Sequence, residues 1–266
     1  MCVYGGDNSK WFKSAVDSVV NQTVKPKEVV IVVDGPVSLE LDNILCSFEK
    51  DSLFKIIRLD KNYGQGYARK IGLENCSYDL IALMDADDIS LPYRFEKQIA
   101  LFEDDIDIVG GIISEFIGEP DNAVGKRIVP LADAEIKEYM KKRCPMNQVT
   151  VMFKKASVEK VGGYIDWYGE EDYYLWLRMY LANMKFANVP DVLVNVRVGN
   201  DMYNRRGGLK YFKSEAKLQK YMLNNKVIGF GRFVLNVFER LVLQVLMPNA
   251  LRGWIFKRFA RSGSDE

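Results

Sequence analysis

The feature that most constrains the fold is a continuous run of β-branched residues that ends abruptly at turn residues. The run lies within Glu28–Val33 and is followed directly by Asp34-Gly35-Pro36. This pattern is typical of a buried strand in a parallel sheet. Further strands are predicted over Phe54–Leu59 and Tyr78–Met84, with a helix over Ala68–Leu73 between them. Strands that alternate with helices predict an α/β fold with a mainly parallel central sheet flanked by helices.

The same alternation continues toward residue 205, with an irregular stretch over 114–130 that predicts loops or a β-ribbon. The remaining predicted elements are helices over Leu91–Phe102, Asp133–Lys142, Lys155–Val161 and Glu170–Leu181, and strands over Ile106–Gly110, Val149–Phe153 and Val192–Val196. We therefore expect one globular domain over residues 1–205 and a helical C-terminal extension over 206–266.

The composition excludes several classes of site. The chain contains no histidine, which removes Ser–His–Asp catalysis and every His-ligated metal site. A metal would have to bind carboxylates, whose oxygens favour Mg²⁺ or Mn²⁺. A net charge of +1 gives no global field for nucleic acid, so no nucleic-acid partner is expected. The four cysteines form no Cys-x-x-Cys pair, which favours buried thiols in a reducing, cytoplasmic compartment.

Three acids stand at the end of the third predicted strand. Asp85, Asp87 and Asp88 follow the apolar segment Leu80–Met84 without a break. Ligands of open α/β sheets bind at the carboxyl ends of strands, where carboxylates and phosphate oxygens can share Mg²⁺ or Mn²⁺. Capping of the next helix is the structural alternative, but a cap requires one acid. The segment therefore favours a metal-dependent nucleotide site over a cap.

Two other acidic positions leave both a structural and a functional interpretation open. Glu170, Glu171 and Asp172 open a predicted helix, where the helix dipole stabilises acids regardless of function. Asp34 lies at a strand end, where it can shape the turn before Gly35 or contact a ligand. Neither pattern decides between these roles alone.

Taken together, the motifs resemble those of one family. The chain resembles the inverting family 2 glycosyltransferases of the GT-A fold, especially those of bacterial capsule, lipopolysaccharide and exopolysaccharide gene clusters. The matching stretches occur in the family's order and cover roughly residues 1–200. They are Val3-Tyr-Gly-Gly-Asp7, Ser18–Thr23 continuing from Pro26 to Gly35, Asn62-Tyr-Gly64 with Ala68–Leu73, Met84–Asp88, and Gly169–Trp176.

The resemblance implies a role for each site residue. The nucleobase pocket would be lined by Val3, Tyr4, Asp7 and Asp34; the nucleotide would be flanked by Asn62, Gly64 and Arg69; Asp85 would meet the ribose side; and Asp87 would hold the Mg²⁺ or Mn²⁺ ion. On the other side of the sugar, Asp172 would be the general base and Glu171 would place the acceptor. Trp176 would form the floor of the acceptor site or, alternatively, would be a buried helix tryptophan.

The resemblance implies a metal-dependent enzyme. It would move a sugar from a nucleotide-diphosphate sugar to a hydroxyl of a saccharide or lipid-linked acceptor during surface polysaccharide synthesis. The donor would be a UDP-sugar, which the family uses most often. Only Met1-Cys2-Val3 stand where the family has a full first strand, so a catalytically impaired binding partner in an assembly complex is the alternative. The chain lacks the Gly-rich phosphate loop of nucleotidyltransferases and the Gly-x-Gly-x-x-Gly fingerprint of dinucleotide oxidoreductases.

The C-terminal extension has an amphipathic pattern. In residues 227–247, polar side chains recur at near-helical spacing and leave one apolar face, which predicts an amphipathic helix and not a membrane span. Residues 251–261 combine Trp254 and Phe259 with Arg252, Lys257, Arg258 and Arg261. Basic helices that carry aromatic residues bind anionic membrane surfaces, so we expect peripheral contact with the inner face of the cytoplasmic membrane. A helical cap on the domain or a dimer face is the alternative.

Overall fold

A computed structural model describes residues 1–102, 105–199 and 207–247. Its strands are β1 (Cys2–Tyr4), β2 (Val29–Asp34), β3 (Phe54–Arg58), β4 (Leu80–Ala82), β5 (Ile89–Ser90), β6 (Ile108–Phe116), β7 (Ala123–Arg127), β8 (Met152–Lys154) and β9 (Phe186–Arg197). Its α-helices are α1 (Ser9–Val20), α2 (Leu39–Phe48), α3 (Gln65–Asn75), α4 (Arg94–Leu101), α5 (Asp133–Met140), α6 (Lys155–Lys160), α7 (Glu171–Leu181), α8 (Leu209–Asn224) and α9 (Phe230–Leu241).

The first sheet is fully parallel, in the order β1-β2-β3. Every residue of β2 is buried, as the β-branched run predicts, because helices cover the sheet. The helix α1 begins at Asn8, whose side chain accepts hydrogen bonds from the backbone N–H groups of Lys10 and Trp11 and so satisfies two otherwise unpaired donors. The pairing aligns Tyr4 with Asp34, which brings the carboxyl ends of β1 and β2 together at one edge.

The second sheet is mixed, with the order β4-β8-β6-β9-β5 and with β7 paired to β6. The pair β6–β9 is parallel, whereas β4–β8, β8–β6, β5–β9 and β6–β7 are antiparallel. The α/β architecture is as predicted, but the expectation of mainly parallel pairing is correct only for the first sheet. One of the antiparallel pairs arises because β6 runs on to Phe116 and the chain turns back into β7, which forms the ribbon that the sequence left open as an alternative to loops.

A cavity lies where the two sheets meet. In the described part of the chain, no strand of the first sheet pairs with a strand of the second. The space between β2 and β4, next to Met1, is a largely apolar cavity of about 410 Å³. Val30, Leu80, Phe95 and Met152 are among the side chains that line it, and Asp85 stands at its border.

The core has two parts. One packs α1 and α2 on the first sheet around Phe12, Ile31 and Leu41. The other surrounds α7 and includes Trp176 together with Leu218 of α8. The apolar face of α8 thus packs in the same core cluster as α7. The expected boundary at 205/206 lies at residues outside the described ranges, so the division at that point stays a prediction.

The C-terminal extension is helical as far as it is described. The helices α8 and α9 are followed by a π-helical stretch over Val242–Leu246. Within the described ranges, no helix is long and apolar enough to cross a membrane. The basic, aromatic segment 251–261 lies outside the described residues. The four cysteines are free thiols; Cys46 is exposed and the other three are only partly buried, so the expectation of buried thiols is not met.

Candidate active site

The site begins at the carboxyl edge of the first sheet. Asp34 is 5% exposed, and its two oxygens accept hydrogen bonds from the backbone N–H groups of Tyr63 (2.7 Å) and Gly64 (2.9 Å). Gly64 adopts a φ of +92°, a conformation that favours glycine, and it begins α3. Asp34 therefore fixes the loop that carries Asn62, and any contact with a nucleobase would use its remaining lone pairs.

Three carboxylates share the space beside this edge. Asp7 accepts a hydrogen bond from the backbone N–H of Tyr4 at 2.9 Å, which holds the loop after β1. Burial raises the pKa of Asp7 to about 6, and repulsion from Asp87 and Asp85 adds to the effect although the Tyr4 hydrogen bond opposes it. Asp85 and Asp87, which follow β4, are therefore near enough to Asp7 to interact with it electrostatically.

Asp88 has a different environment. Its side chain is buried and accepts a hydrogen bond from the backbone N–H of Arg197 at 2.8 Å, which ties the loop to the end of β9. Burial raises the pKa of Asp88 well above its usual range, and repulsion from Asp87 and Asp85 contributes. Asp88 thus serves the fold, while Asp85 and Asp87 face the other acids.

A single cation joins the two acidic regions that are far apart in sequence. Arg69, on α3, lies 3.3 Å from Asp85 and 2.8 Å from Glu171, and its side chain is only 8% exposed. Burial alone would lower the pKa of Arg69, but Asp85, Tyr164 and Glu171 raise it above its ordinary value. The guanidinium is therefore a permanent charge between the loop after β4 and the first turn of α7.

Asp172 is connected to Arg69 by the side chain of Gln148. Its Oδ1 accepts a hydrogen bond from the backbone N–H of Tyr173 at 2.6 Å. In the amide orientation that satisfies both neighbours, Gln148 donates to Asp172 Oδ2 at 2.7 Å and its oxygen accepts from Arg69 at 2.9 Å. Burial raises the pKa of Glu171, repulsion from Asp172 raises it further, and Arg69 lowers it. Asp172 and Glu171 thus occupy one side of Arg69, and Asp85 occupies the other.

Comparison with known proteins identifies the family. Residues 1–162 match the model of Glycosyl transferase family 2, which is more than half of the chain. The chain belongs to this family. Among relatives of this glycosyltransferase, the Erwinia amylovora protein named amylovoran biosynthesis glycosyltransferase AmsE is 36% identical over 96% of this chain and 96% of its own. An Escherichia coli UDP-Gal:alpha-D-GlcNAc-diphosphoundecaprenol beta-1,3-galactosyltransferase is 35% identical over 98% of this chain and 95% of its own.

Solved structures share the fold of the glycosyltransferase. S. aureus TarS 1–349 in complex with UDP-GlcNAc aligns with a TM-score of 0.65 at 16% identity, over 91% of this chain and 71% of that one. The mannosyltransferase PcManGT from Pyrobaculum calidifontis, in complex with GDP-Man and Mn²⁺, aligns with a TM-score of 0.63 at 13% identity, over 94% and 70%. At these identities the likeness concerns the fold alone, and it confirms the expected GT-A-type architecture.

Two residues expected to line the site are in the core of the glycosyltransferase instead. Val3, the middle residue of β1, is 1% exposed and belongs to the hydrophobic core, so its side chain does not line an open pocket. Trp176 is 0% exposed within the core around α7. A floor for the acceptor is therefore the wrong interpretation of Trp176, and the alternative of a buried helix tryptophan is the correct one. Both corrections arise because a helix or strand end has one face toward the core, which the motif alone does not reveal.

Two residues near the site were missed from the sequence. Gln148 directly precedes the predicted strand Val149–Phe153 and was given no role, but Gln148–Thr150 forms a 3₁₀ turn and the Gln148 amide reaches Asp172. Arg94 is fully buried beneath the loop after β4 and donates to the carbonyl of Leu83 at 2.7 Å and to Gln98 at 3.0 Å. Burial lowers the pKa of Arg94 to about 9, although Asp85 opposes the shift. The four-residue spacing of Arg94 and Gln98 on a predicted helix is the sequence signal that could have indicated this pair.

The donor set near Asp87 fits a shared metal ion. Asp7, Asp85 and Asp87 offer only carboxylate oxygens, the ligand type that Mg²⁺ and Mn²⁺ prefer, and their mutual repulsion would be relieved by a cation. Within the described ranges, no group of three or more acidic, cysteine or histidine side chains is placed so that it could hold a metal ion by itself. A metal here would therefore take one or two protein ligands and complete its shell with phosphate oxygens and water.

Proposed function

We propose that this family 2 glycosyltransferase transfers a sugar, with inversion, from a UDP-sugar to a hydroxyl group of a saccharide or lipid-linked acceptor in surface polysaccharide synthesis. Asp172 is the general base, and Glu171 orients the acceptor. The donor lies along Tyr4, Asp7, Asp34, Asn62, Gly64, Arg69, Asp85 and Asp87.

The observation that carries the proposal is the position of Arg69. Through it, the acids after β4 and the acids that begin α7 meet at one buried cation, although they are about ninety residues apart in sequence. A single displacement needs a diphosphate site on one side of the sugar and a base on the other. The grouping of both sets of acids around Arg69 supports this arrangement, with Asp85 on the diphosphate side and Asp172 on the acceptor side.

The chemistry follows from these positions. The acceptor hydroxyl attacks the anomeric carbon, the bond from that carbon to the diphosphate oxygen breaks, and the hydroxyl proton passes to the Asp172 carboxylate. Gln148 and the Tyr173 N–H hold the two oxygens of Asp172 and so fix its orientation toward the acceptor. Arg69 is close enough to Asp85 to contribute positive charge near the leaving diphosphate.

We infer that Asp87 holds a Mg²⁺ or Mn²⁺ ion together with the diphosphate oxygens. Such an ion, when bound, neutralises the charge that the leaving group gains. Support comes from the carboxylate chemistry of the edge and from the Mn²⁺ in the related mannosyltransferase structure.

The acceptor class is inferred from a relative. The name of the E. coli relative specifies a diphosphoundecaprenol-linked acceptor and a UDP-sugar donor, and the TarS structure contains UDP-GlcNAc. We infer that this chain uses a lipid-linked acceptor and a UDP-sugar donor. We also infer that it acts at the cytoplasmic surface of the membrane.

The test compares Asp172→Asn with the wild type and with Asp17→Asn, which makes the same change at an exposed acid on α1. Sugar transfer and UDP affinity are measured in parallel. We expect Asp172→Asn to reduce transfer by roughly 10²–10⁴-fold with UDP affinity retained, while Asp17→Asn behaves as wild type. Transfer by Asp172→Asn at the wild-type rate would move the base elsewhere. If the wild type binds UDP but transfers sugar from none of the donors tested, the chain would instead be the non-catalytic partner.

A further inference from the structure

The helix α9 turns two polar side chains inward, whereas Glu239 is exposed and Arg232 is partly buried. Asn236 and Arg240, its two buried residues, are four positions apart and face the rest of the protein. Asn236 donates to the carbonyl of Lys141 at 2.9 Å, and Arg240 donates to that of Lys142 at 3.0 Å. The polar stripe of this amphipathic helix is therefore the side that packs on the domain, where it caps the end of α5.

The apolar side of α9 faces outward. Phe230 is 71% exposed, Val234 48% and Phe238 60%, and these residues are spaced four apart along one face. Leu246, in the π-helical stretch that follows, is 67% exposed. Surface helices of soluble proteins show the opposite arrangement, and a contiguous exposed apolar face indicates an interaction site.

We propose that this outward face, defined by Phe230, Val234, Phe238 and Leu246, lies on an anionic phospholipid membrane. A helix of this length and sidedness inserts its apolar face into the interfacial region of a bilayer and does not span it. In the sequence, this apolar face is followed by Arg252, Lys257, Arg258 and Arg261. An amphipathic segment that is followed by basic residues favours binding to anionic lipid headgroups, and we therefore assign an anionic membrane to this face.

The inference rests on the proposed function for its purpose, because a lipid-linked acceptor is found only at the membrane. The contacts connect α9 to the start of α7. Arg240 pairs with Glu215 of α8 at 3.0 Å, and Tyr211 of α8 donates to Glu170 at 2.7 Å, one residue before Glu171. A membrane contact through α9 would thus hold the acceptor side of the cleft at a fixed position relative to the bilayer.

The experiment measures co-sedimentation of the full chain with vesicles of phosphatidylcholine and phosphatidylglycerol in equal parts, and with vesicles of phosphatidylcholine alone. The test variant is Phe230→Ser/Phe238→Ser. The matched control is Leu39→Ser/Ile128→Ser, which removes two apolar side chains of similar exposure, 75% and 56%, outside α9. Thermal unfolding verifies that each variant is folded, and transfer to a water-soluble acceptor is assayed separately.

We expect the wild type and the control to bind the anionic vesicles and the Phe230→Ser/Phe238→Ser variant to bind at least about tenfold more weakly, because each phenylalanine is worth about a decade of partitioning. Transfer to the soluble acceptor should not change, so a failure of the proposed function would appear there and not in sedimentation. Three results would overturn the proposal: no vesicle binding by the wild type, unchanged binding by the phenylalanine variant, or a wild-type dimer that the variant converts to a monomer.

Discussion

The position of Arg69 predicts that removing its positive charge lowers the free energy of unfolding by an unusually large amount. Arg69→Met keeps an unbranched apolar stem but removes the guanidinium, which leaves Asp85 and Glu171 without their shared partner. The side chain of Glu171 is 12% exposed, whereas that of Asp85 is 37% exposed and is screened by water. Loss of one member of a buried pair costs about 3–5 kcal/mol. Because only the Arg69–Glu171 pair is buried on both sides, we expect the free energy of unfolding to fall by about 3 kcal/mol near neutral pH.

The matched control is Arg58→Met. Arg58 also contacts two carboxylates, Asp42 at 2.6 Å and Glu49 at 3.1 Å, but all three side chains are about 40% exposed. Its loss should cost less than about 1 kcal/mol. Urea denaturation of both variants measures the difference. Equal costs at the two positions would refute the reasoning, because burial is then not what makes the contact of Arg69 important.

The same reasoning gives a pH dependence with a defined sign. Glu171 has a pKa raised by burial and by Asp172, so its ionisation favours the unfolded chain, and this effect grows as pH rises above the ordinary glutamate value. Arg69 limits the effect by stabilising the charged form. In Arg69→Met the destabilisation should therefore be larger at about pH 8 than at about pH 5, and Glu171→Gln in the same chain should remove most of that difference.

Two further predictions concern the metal and the corrected tryptophan. Asp87→Ala should abolish the tightening of UDP binding by Mn²⁺ in calorimetry while leaving metal-free UDP binding nearly unchanged; unchanged Mn²⁺ dependence would contradict the assignment. Trp176→Phe should lower the free energy of unfolding, measured in urea, by less than the roughly 3–5 kcal/mol that truncation to alanine costs. The packing is only partly lost, and the buried indole N–H has no hydrogen-bond partner to lose in the described structure. A weakened acceptor affinity with unchanged stability would restore Trp176 to the acceptor site.

The parts of the fold that follow from local pattern were predictable from the sequence. The strand at Val29–Asp34 and the helix at Glu171–Leu181 lie where the apolar pattern places them, because a buried strand and an amphipathic helix each leave a periodic signal. The pairing of β6 with β9 was not predictable, since those strands are about eighty residues apart and either direction suits their composition. The 3₁₀ turn at Gln148 was hidden by the apolar residues that follow it.

The site shows the same division. Asp85 and Asp87 were singled out because packing gives no reason for charges at the end of a buried strand, whereas the role of Asp172 came from the family resemblance. Arg94 escaped notice because a buried cation looks, in sequence, like any exposed arginine on a helix. For α9, the sequence predicted two faces correctly but contained no information on which face turns toward the domain; only the hydrogen bonds to the end of α5 decide that.

The separation of the two sheets has a consequence for how motion spreads through the protein. The edge that holds Tyr4 and Asp34 belongs to one hydrogen-bonded network, and the loop with Asp85 and Asp87 follows a strand of another, with an apolar cavity between them. The two sheets share side-chain packing but no backbone ladder, so the backbone hydrogen bonds of one sheet can open without breaking those of the other. A nucleotide that touches both edges would act as a non-covalent cross-link, so its binding should slow amide hydrogen exchange in β1 and β4 together, although no backbone hydrogen bond connects them.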